Sequence, residues 1–244
     1  MPRLLPYPNT CPEQTFFVTG ALPRVHLVTP AIVERTVARY GLSGILSARE
    51  RATFDAFPIE RRRQDWLAGR VAAKRALRAT MLERGSRVTP YRAIEIWNDV
   101  TGAPRFTVDR RPELSRQLNI SISHTNGAGL AAVGSTIDSG TVGVDIETTR
   151  SLSLALVSRV LGPSELARLS SEHIAPMPLV LWTAKEAAMK AANAACTALR
   201  HVELSWNGTR CVGARICGES VAGPEIVVRH RTVGPYTIAV ALCR

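Results

Sequence analysis

Two carboxylates stand close together in Gly143-Val-Asp-Ile-Glu147, and a strand's period of two puts Asp145 and Glu147 on one face while Val142, Val144 and Ile146 share the other. Like charges so placed repel unless a cation or strong donors sit between them. A divalent metal suits the pair, since Mg²⁺ takes a few hard oxygen ligands and keeps water or phosphate oxygen for the rest. A strand with one solvated face would carry the same letters. Further along, Trp182-Thr-Ala-Lys-Glu-Ala-Ala-Met-Lys190 has a helix-forming composition, and its spacing sets Trp182, Glu186 and Lys190 on one side. Glu186 offers a third carboxylate, as metal ligand or general base, while Lys185 and Lys190 offer ammonium groups to a phosphate. An ordinary surface ion pair between Glu186 and Lys190 fits the same spacing.

Asn119-Ile-Ser-Ile-Ser-His-Thr125 alternates Ile120 and Ile122 with Asn119, Ser121 and Ser123 and ends on His124. A histidine at a strand tip beside hydroxyls suits a phosphate contact, and equally a capping or core role. Gly127-Ala128-Gly129 is a turn and no dinucleotide fingerprint, because strand residues follow where a helix should begin. From Glu60, the run ERRRQDWLAGRVAAKRAL sets Arg63, Arg70 and Lys74 on one helical face, as a phosphate-binding or a solvated basic face. Thr101-Gly-Ala-Pro104 reads as a turn.

The elements that must position these residues follow from periodicity and punctuation. Residues 1–23 are Pro-rich and read as an N-terminal extension. Arg24 to Thr29 alternates like a strand, with Val25 and Leu27 on one side. Helices are expected over 31–40, over 47–55 with Ser47 and Glu50 as a capping box, and over 60–84. Strands are expected over 92–97, 119–123 and 129–135. After Asp138-Ser139-Gly140 the order repeats: a strand at 141–147, helices near 153–170 and 178–196, then strands near 208–217, 225–231 and 236–243. Each half reads as strand, helices and three-strand meander, with a cleft between halves as the natural ligand site. The division is 24–140 for an N-terminal subdomain and 141–244 for a C-terminal subdomain holding the carboxylates.

With 244 residues and 45% hydrophobic residues the chain has ample material for a core. No apolar run is long enough for a membrane span, and the N-terminus lacks a signal-peptide core, so a cytoplasmic protein is expected. Its five cysteines are scattered, without a C-x-x-C pair, and read as free thiols. The net charge of +11 predicts attraction to nucleic acid, a phosphorylated small molecule or an acidic protein, or reflects a bias toward Arg in the coding sequence.

In order and spacing, Gly102-x-Pro104, Asn119-Ile-Ser-Ile-Ser-His124, Gly143-Val-Asp-Ile-Glu147 and Trp182-Thr-Ala-Lys-Glu-Ala-Ala-Met-Lys190 together resemble the Sfp-type 4′-phosphopantetheinyl transferases. The resemblance spans about residues 61–190. It implies an α+β fold, a pseudo-two-fold pair of similar α/β subdomains in one monomer, with coenzyme A between the halves and Mg²⁺ beside its pyrophosphate. The implied reaction moves the 4′-phosphopantetheine arm of coenzyme A to a serine of an apo acyl or peptidyl carrier protein and releases adenosine 3′,5′-bisphosphate. Asp145, Glu147 and Glu186 are the implied metal ligands. Glu186 is the candidate base, directly or through a metal-bound water, and Lys190 would face the pyrophosphate with Lys185 nearby. His124 matches the family histidine that contacts the coenzyme A phosphates, with Ser123 beside it as a further coenzyme A contact, and Arg62 and Arg70 fall where relatives place arginines for the same nucleotide; Lys74 is added from the helix-face argument. Thr101 stands where some relatives carry a lysine, a loss that Lys74 or Arg105 would offset. Acidic carrier proteins would complement the +11 charge, docking near 150–170, where Leu152, Leu154, Leu156 and Val157 offer apolar contacts.

Two other classes fit parts of the sequence. A Mg²⁺-dependent nuclease or phosphohydrolase could use three carboxylates and a lysine. A nucleic-acid-binding module could use the basic 61–92 stretch, but aromatics are 5% of residues and none alternates with the basic cluster as a stacking platform, which weighs against nucleic acid as a partner.

Overall fold

A computed structural model describes residues 23–137, 140–149, 157–158, 160–162, 165, 178–193, 198–207, 210–216 and 225–244. β1 (Arg24–Val28) leads into α1 (Pro30–Ile45), α2 (Ala48–Ala56) and the long α3 (Glu60–Glu83). A 3-10 turn at Tyr91–Ala93 precedes β2 (Ile94–Asn98) and β3 (Pro104–Val108); a short α4 (Leu114–Gln117) precedes β4 (Leu118–Thr125) and β5 (Ala128–Ser135). The order then recurs. β6 (Thr141–Thr148) is followed by α5 (Pro178–Ala191), a second 3-10 turn at Leu199–His201, and β7 (Val202–Asn207), β8 (Arg210–Ile216), β9 (Ile226–Val233) and β10 (Tyr236–Cys243). The fold is α+β, with sheets ordered β1-β5-β4, β6-β10-β9-β8-β7 and β2-β3. The expected extension 1–23, the helices near 153–170 and the docking segment 150–170 lie wholly or largely outside the described residues.

Among the described residues each half carries four strands after its helices, where three were expected. β3 opens on Pro104 and is interrupted by Arg105, and β7 places Glu203 and Ser205 among Val202, Leu204 and Trp206, so neither forms a continuous apolar run. α5 also stops at Ala191, short of the expected 196. The capping box of α2 is present: Ser47 Oγ accepts from the Glu50 N–H and Glu50 Oε2 accepts from the Ser47 N–H.

That glutamate does more than cap a helix. Glu50 is buried and also accepts from Lys74 Nζ at 2.5 Å and from the Ile96 N–H at 3.2 Å, while Lys74 donates to the Ile45 and Tyr91 carbonyls. The second half repeats the cluster residue for residue. Buried Lys185 pairs with Glu165 and donates to the Val160 and Leu199 carbonyls, while Glu165 accepts from the Gly162 and Leu204 N–H groups. In each half one Lys–Glu pair ties helix, 3-10 turn and following strand together, which makes Lys74 and Lys185 equivalent positions. The hairpins agree: counted from the two-residue turns Asn126-Gly127 and Gly234-Pro235, Ala131 of β5 matches Ala239 of β10. Their partners on the next strands are His26 and Asp145.

The halves meet along β4 and β6. Ala128, Leu130 and Ala132 of β5 pack with Val142, Val144, Ile146 and the inner face of β10 in a shared apolar cluster. β6 pairs through its backbone with β10. Side chains of β4 serve its other edge: Asn119 Oδ1 accepts from the Val142 N–H at 2.9 Å and Ser121 Oγ from the Val144 N–H at 3.0 Å, while Asn119 Nδ2 donates to the Gly140 carbonyl. The alternating polar residues of β4 thus complete a neighbouring strand, each bond contributing about 1 kcal/mol.

Candidate functional site

α5 lies directly on β6 at Gly143, where any Cβ would run into the Ala187 carbonyl. This close approach brings Glu186 and Lys190, on the least buried side of α5, up to Asp145 one pleat further along the strand. Lys190 Nζ donates to Asp145 Oδ1 at 2.8 Å and to the Val144 carbonyl at 3.1 Å. Ser123 Oγ donates to the same Oδ1 at 2.8 Å. Asp145 is buried, and its Oδ2 has no hydrogen-bond partner. Burial pushes the Glu186 carboxyl above the ordinary glutamate value; Lys190 opposes the shift and the Asp145 charge adds to it. Asp145, Glu186 and Lys190 therefore form one electrostatic unit.

Among the described residues, no three His, Cys, Asp or Glu side chains stand close enough to enclose a metal ion. The expected pocket of Asp145, Glu147 and Glu186 is thus not preformed, and the Lys190 ammonium holds the position beside Asp145. The buried, unpartnered Asp145 Oδ2 does fit a hard cation, since a carboxylate oxygen away from water needs a donor or a charge.

Two adjoining cavities share Trp97, Gly102, Pro104 and Ile122 as a common wall. One, of about 710 Å³, is lined by Glu186, Met189 and Lys190 and by apolar Phe106, Leu118 and Ile120. The other, of about 530 Å³, holds His124, Arg62, Arg70 and Arg49 among Phe57, Trp66 and Trp97. Each arginine there lies over a ring: Arg70 over Trp66 at 4.6 Å, Arg62 over Phe57 at 5.4 Å and Arg49 over Trp97 at 5.7 Å. Burial lowers Arg70 to about 10, with Glu50 opposing, so it stays charged at neutral pH. Burial also lowers His124, with Lys190 and Arg70 pushing the same way and Asp65 opposing, so a neutral imidazole faces the cavity.

The Gly102-x-Pro104 turn between the cavities is built on Asp99, which the sequence reading passed over. Its Oδ1 accepts from the Thr101 hydroxyl and from the Thr101 and Ala103 N–H groups, and its Oδ2 from Arg105 Nε at 2.8 Å. The bonds from Thr101 and then Arg105 lower Asp99 to about 2. Gly102, at φ 85, supplies the left-handed residue that closes the turn.

The structure brings Glu186, Lys190, His124, Arg62 and Arg70 to the cavity walls, with Asp145 buried against Lys190. It places the remaining candidates differently. Lys74 and Lys185 are fully buried, each with a glutamate and two carbonyls as acceptors, so neither ammonium reaches a phosphate. A lysine paired inside looks the same in sequence as one facing out. Ser123 is buried with its proton given to Asp145. Neither Lys74 nor Arg105 is free to replace a cation at Thr101, since Arg105 is paired with Asp99. Arg49 and Phe57, at the two ends of α2, and Trp97, on β2, were missed because no local pattern links them.

Among curated proteins none matches this chain. Solved structures with partial similarity include holo-[acyl-carrier-protein] synthase from Neisseria meningitidis, 24% identical over 45% of this chain and 92% of that one, with a TM-score of 0.36. The Bacillus anthracis synthase in complex with CoA (3′,5′-ADP) is 22% identical over 47% of this chain and 94% of its own, with a TM-score of 0.37. The Helicobacter pylori synthase in complex with coenzyme A is 22% identical over 46% of this chain and 96% of its own, with a TM-score of 0.35. Residues 141–241, the segment that holds Asp145, Glu147, Glu186 and Lys190, match the family model of the 4′-phosphopantetheinyl transferase superfamily, the superfamily whose motifs this sequence resembles.

Proposed function

We propose that this protein transfers the 4′-phosphopantetheine arm of coenzyme A to a serine hydroxyl of an apo carrier protein, releasing adenosine 3′,5′-bisphosphate, with Mg²⁺ as the metal and an acidic acyl or peptidyl carrier as partner. The observation that carries the reading is the pairing of two unlike cavities. An arginine-lined pocket suited to a phosphorylated nucleotide adjoins one lined by Glu186 and Lys190, and Lys190 in turn donates to buried Asp145, whose second oxygen has no partner.

In this reading Arg62, Arg70 and neutral His124 bind the nucleotide phosphates, and Arg49 adds a cation beside Trp97. Asp145, Glu186 and Glu147 hold the metal, which when bound neutralises charge on the transferring phosphoryl group. Lys190, already against Asp145, is placed to donate to a pyrophosphate oxygen on the leaving side. Glu186 takes the proton of the carrier serine, directly or through a metal-bound water. Lys74 and Lys185 hold the two halves of the frame and do not touch substrate.

The test is intact mass spectrometry of apo carrier proteins incubated with this protein, coenzyme A and Mg²⁺, with an EDTA control. A metal-dependent gain of roughly 340 Da, one phosphopantetheine, supports the reading. No gain on acyl and peptidyl carriers from several pathways, by folded protein, refutes it and favours metal-dependent phosphate hydrolysis.

A further inference from the structure

We infer that Ser123 is a positioning residue for Asp145, holding that carboxylate so that one oxygen is left for a cation, and is not a contact for coenzyme A. The inference rests on the metal assignment proposed above.

The residues of β4 that face β6 form a regular series. Asn119 and Ser121 accept hydrogen bonds from successive outward N–H groups of β6, at Val142 and Val144. Ser123, next in the series, does the reverse: its hydroxyl donates to a side chain, Asp145 Oδ1, at 2.8 Å. A serine hydroxyl has one proton. With that proton on a buried carboxylate, it has none for a phosphate oxygen, and an acceptor lone pair aimed at a phosphate would repel it.

Lys190 donates to the same Oδ1 at 2.8 Å, so two donors converge on one oxygen while Oδ2, equally buried, receives none. The asymmetry fixes the rotation of the carboxylate. Ser123 on β4 and Lys190 on α5 approach that oxygen from different elements. When pyrophosphate draws Lys190 away, Ser123 remains as the donor that keeps Oδ1 in place. Supporting hydrogen bonds of this kind set ligand orientation and are worth about tenfold or more in metal affinity.

Titration of the purified protein with Mn²⁺ alone, followed by electron paramagnetic resonance of the free ion, separates the possibilities without any transfer reaction. Ser123→Ala is expected to weaken Mn²⁺ binding about tenfold, with Ser123→Thr restoring it to within about threefold. Ser121→Ala, which removes a seam bond with no carboxylate attached, is expected to stay within about twofold of the parent. Unchanged Mn²⁺ binding in Ser123→Ala, equal losses in Ser123→Ala and Ser121→Ala, or no Mn²⁺ binding by the parent protein overturns the inference. A raised KM for coenzyme A with unaltered Mn²⁺ affinity would return Ser123 to the phosphate-contact role. If the parent protein modifies no carrier yet shows the expected Mn²⁺ pattern, the proposed function fails while the positioning role stands; an active parent with metal-indifferent Ser123→Ala gives the opposite result.

Discussion

Replacing Lys74 with methionine distinguishes a structural lysine from a substrate-binding one. The side chain is fully buried and its ammonium donates to Glu50 Oε2, Ile45 O and Tyr91 O at 2.5, 2.7 and 3.2 Å. Methionine fills much of the same volume but leaves Glu50, itself 2% exposed, with only the Ser47 and Ile96 N–H groups and Arg70 Nε 3.8 Å away. Removing one partner of a buried pair costs about 3–5 kcal/mol, a large part of a total stability of about 5–15 kcal/mol. At about 2–4 °C per kcal/mol for a chain of this size, Tm should fall by roughly 6–20 °C in a calorimetric or circular-dichroism melt. Adding Glu50→Leu removes the stranded charge and should recover part of the loss. Well below the melt, KM for coenzyme A should stay within about threefold of the parent, a shift below 1 kcal/mol. A Tm within about 2 °C of the parent, or a KM raised tenfold without a stability change, would refute the assignment.

Asp145→Ala and Glu186→Gln should each reduce transfer at least about 10²-fold while melting close to the parent; full activity in either folded variant removes that residue from the mechanism. Gly143→Ala drives a methyl group into the Ala187 carbonyl and should destabilise by about 3 kcal/mol or more as α5 is pushed off β6, whereas an unshifted melt would show that the helix yields freely. His26 is lowered to about 4 by burial, then by Arg75 and Arg24, against 6.5 in the unfolded chain. The unfolded chain therefore binds the proton first, and stability present above about pH 6.5 is lost as pH falls toward about 4. Discounted for partial exposure this amounts to about 1–3 kcal/mol, and His26→Gln should flatten the dependence of Tm on pH in that window; an unchanged slope would refute it.

The shared side of Glu186 and Lys190 was legible in the sequence because a helix's period of four is local, while the meeting of that side with Asp145 was implied only by the family resemblance. Also legible were the repetition of halves, read from element order, and the capping box at Ser47 and Glu50. Much of what escaped is what spacing cannot carry. Lys74 and Lys185 each find a glutamate far off in sequence, and that internal partner is what allows a lysine to be fully buried. The alternating Asn119, Ser121 and Ser123 announced a strand with a polar face, but not that this face completes another strand. β3 and β7 alternate as an amphipathic strand does and were passed over for want of a continuous apolar run, and Asp99 was passed over although its donors Thr101, Ala103 and Arg105 are local.

The frame built on Lys74 and Glu50 recurs on Lys185 and Glu165, and the hairpin registers place His26 opposite Ala131 as Asp145 lies opposite Ala239. The residue after each lysine is Arg75 in one half and Glu186 in the other. One scaffold, used twice, thus carries an imidazole and a guanidinium where its copy carries two carboxylates. Polarity is a property of the copy, not of the scaffold. Libraries that randomise α3 can therefore be screened for altered anion recognition separately from libraries on β6 and α5, with the two buried pairs left constant as the shared chassis.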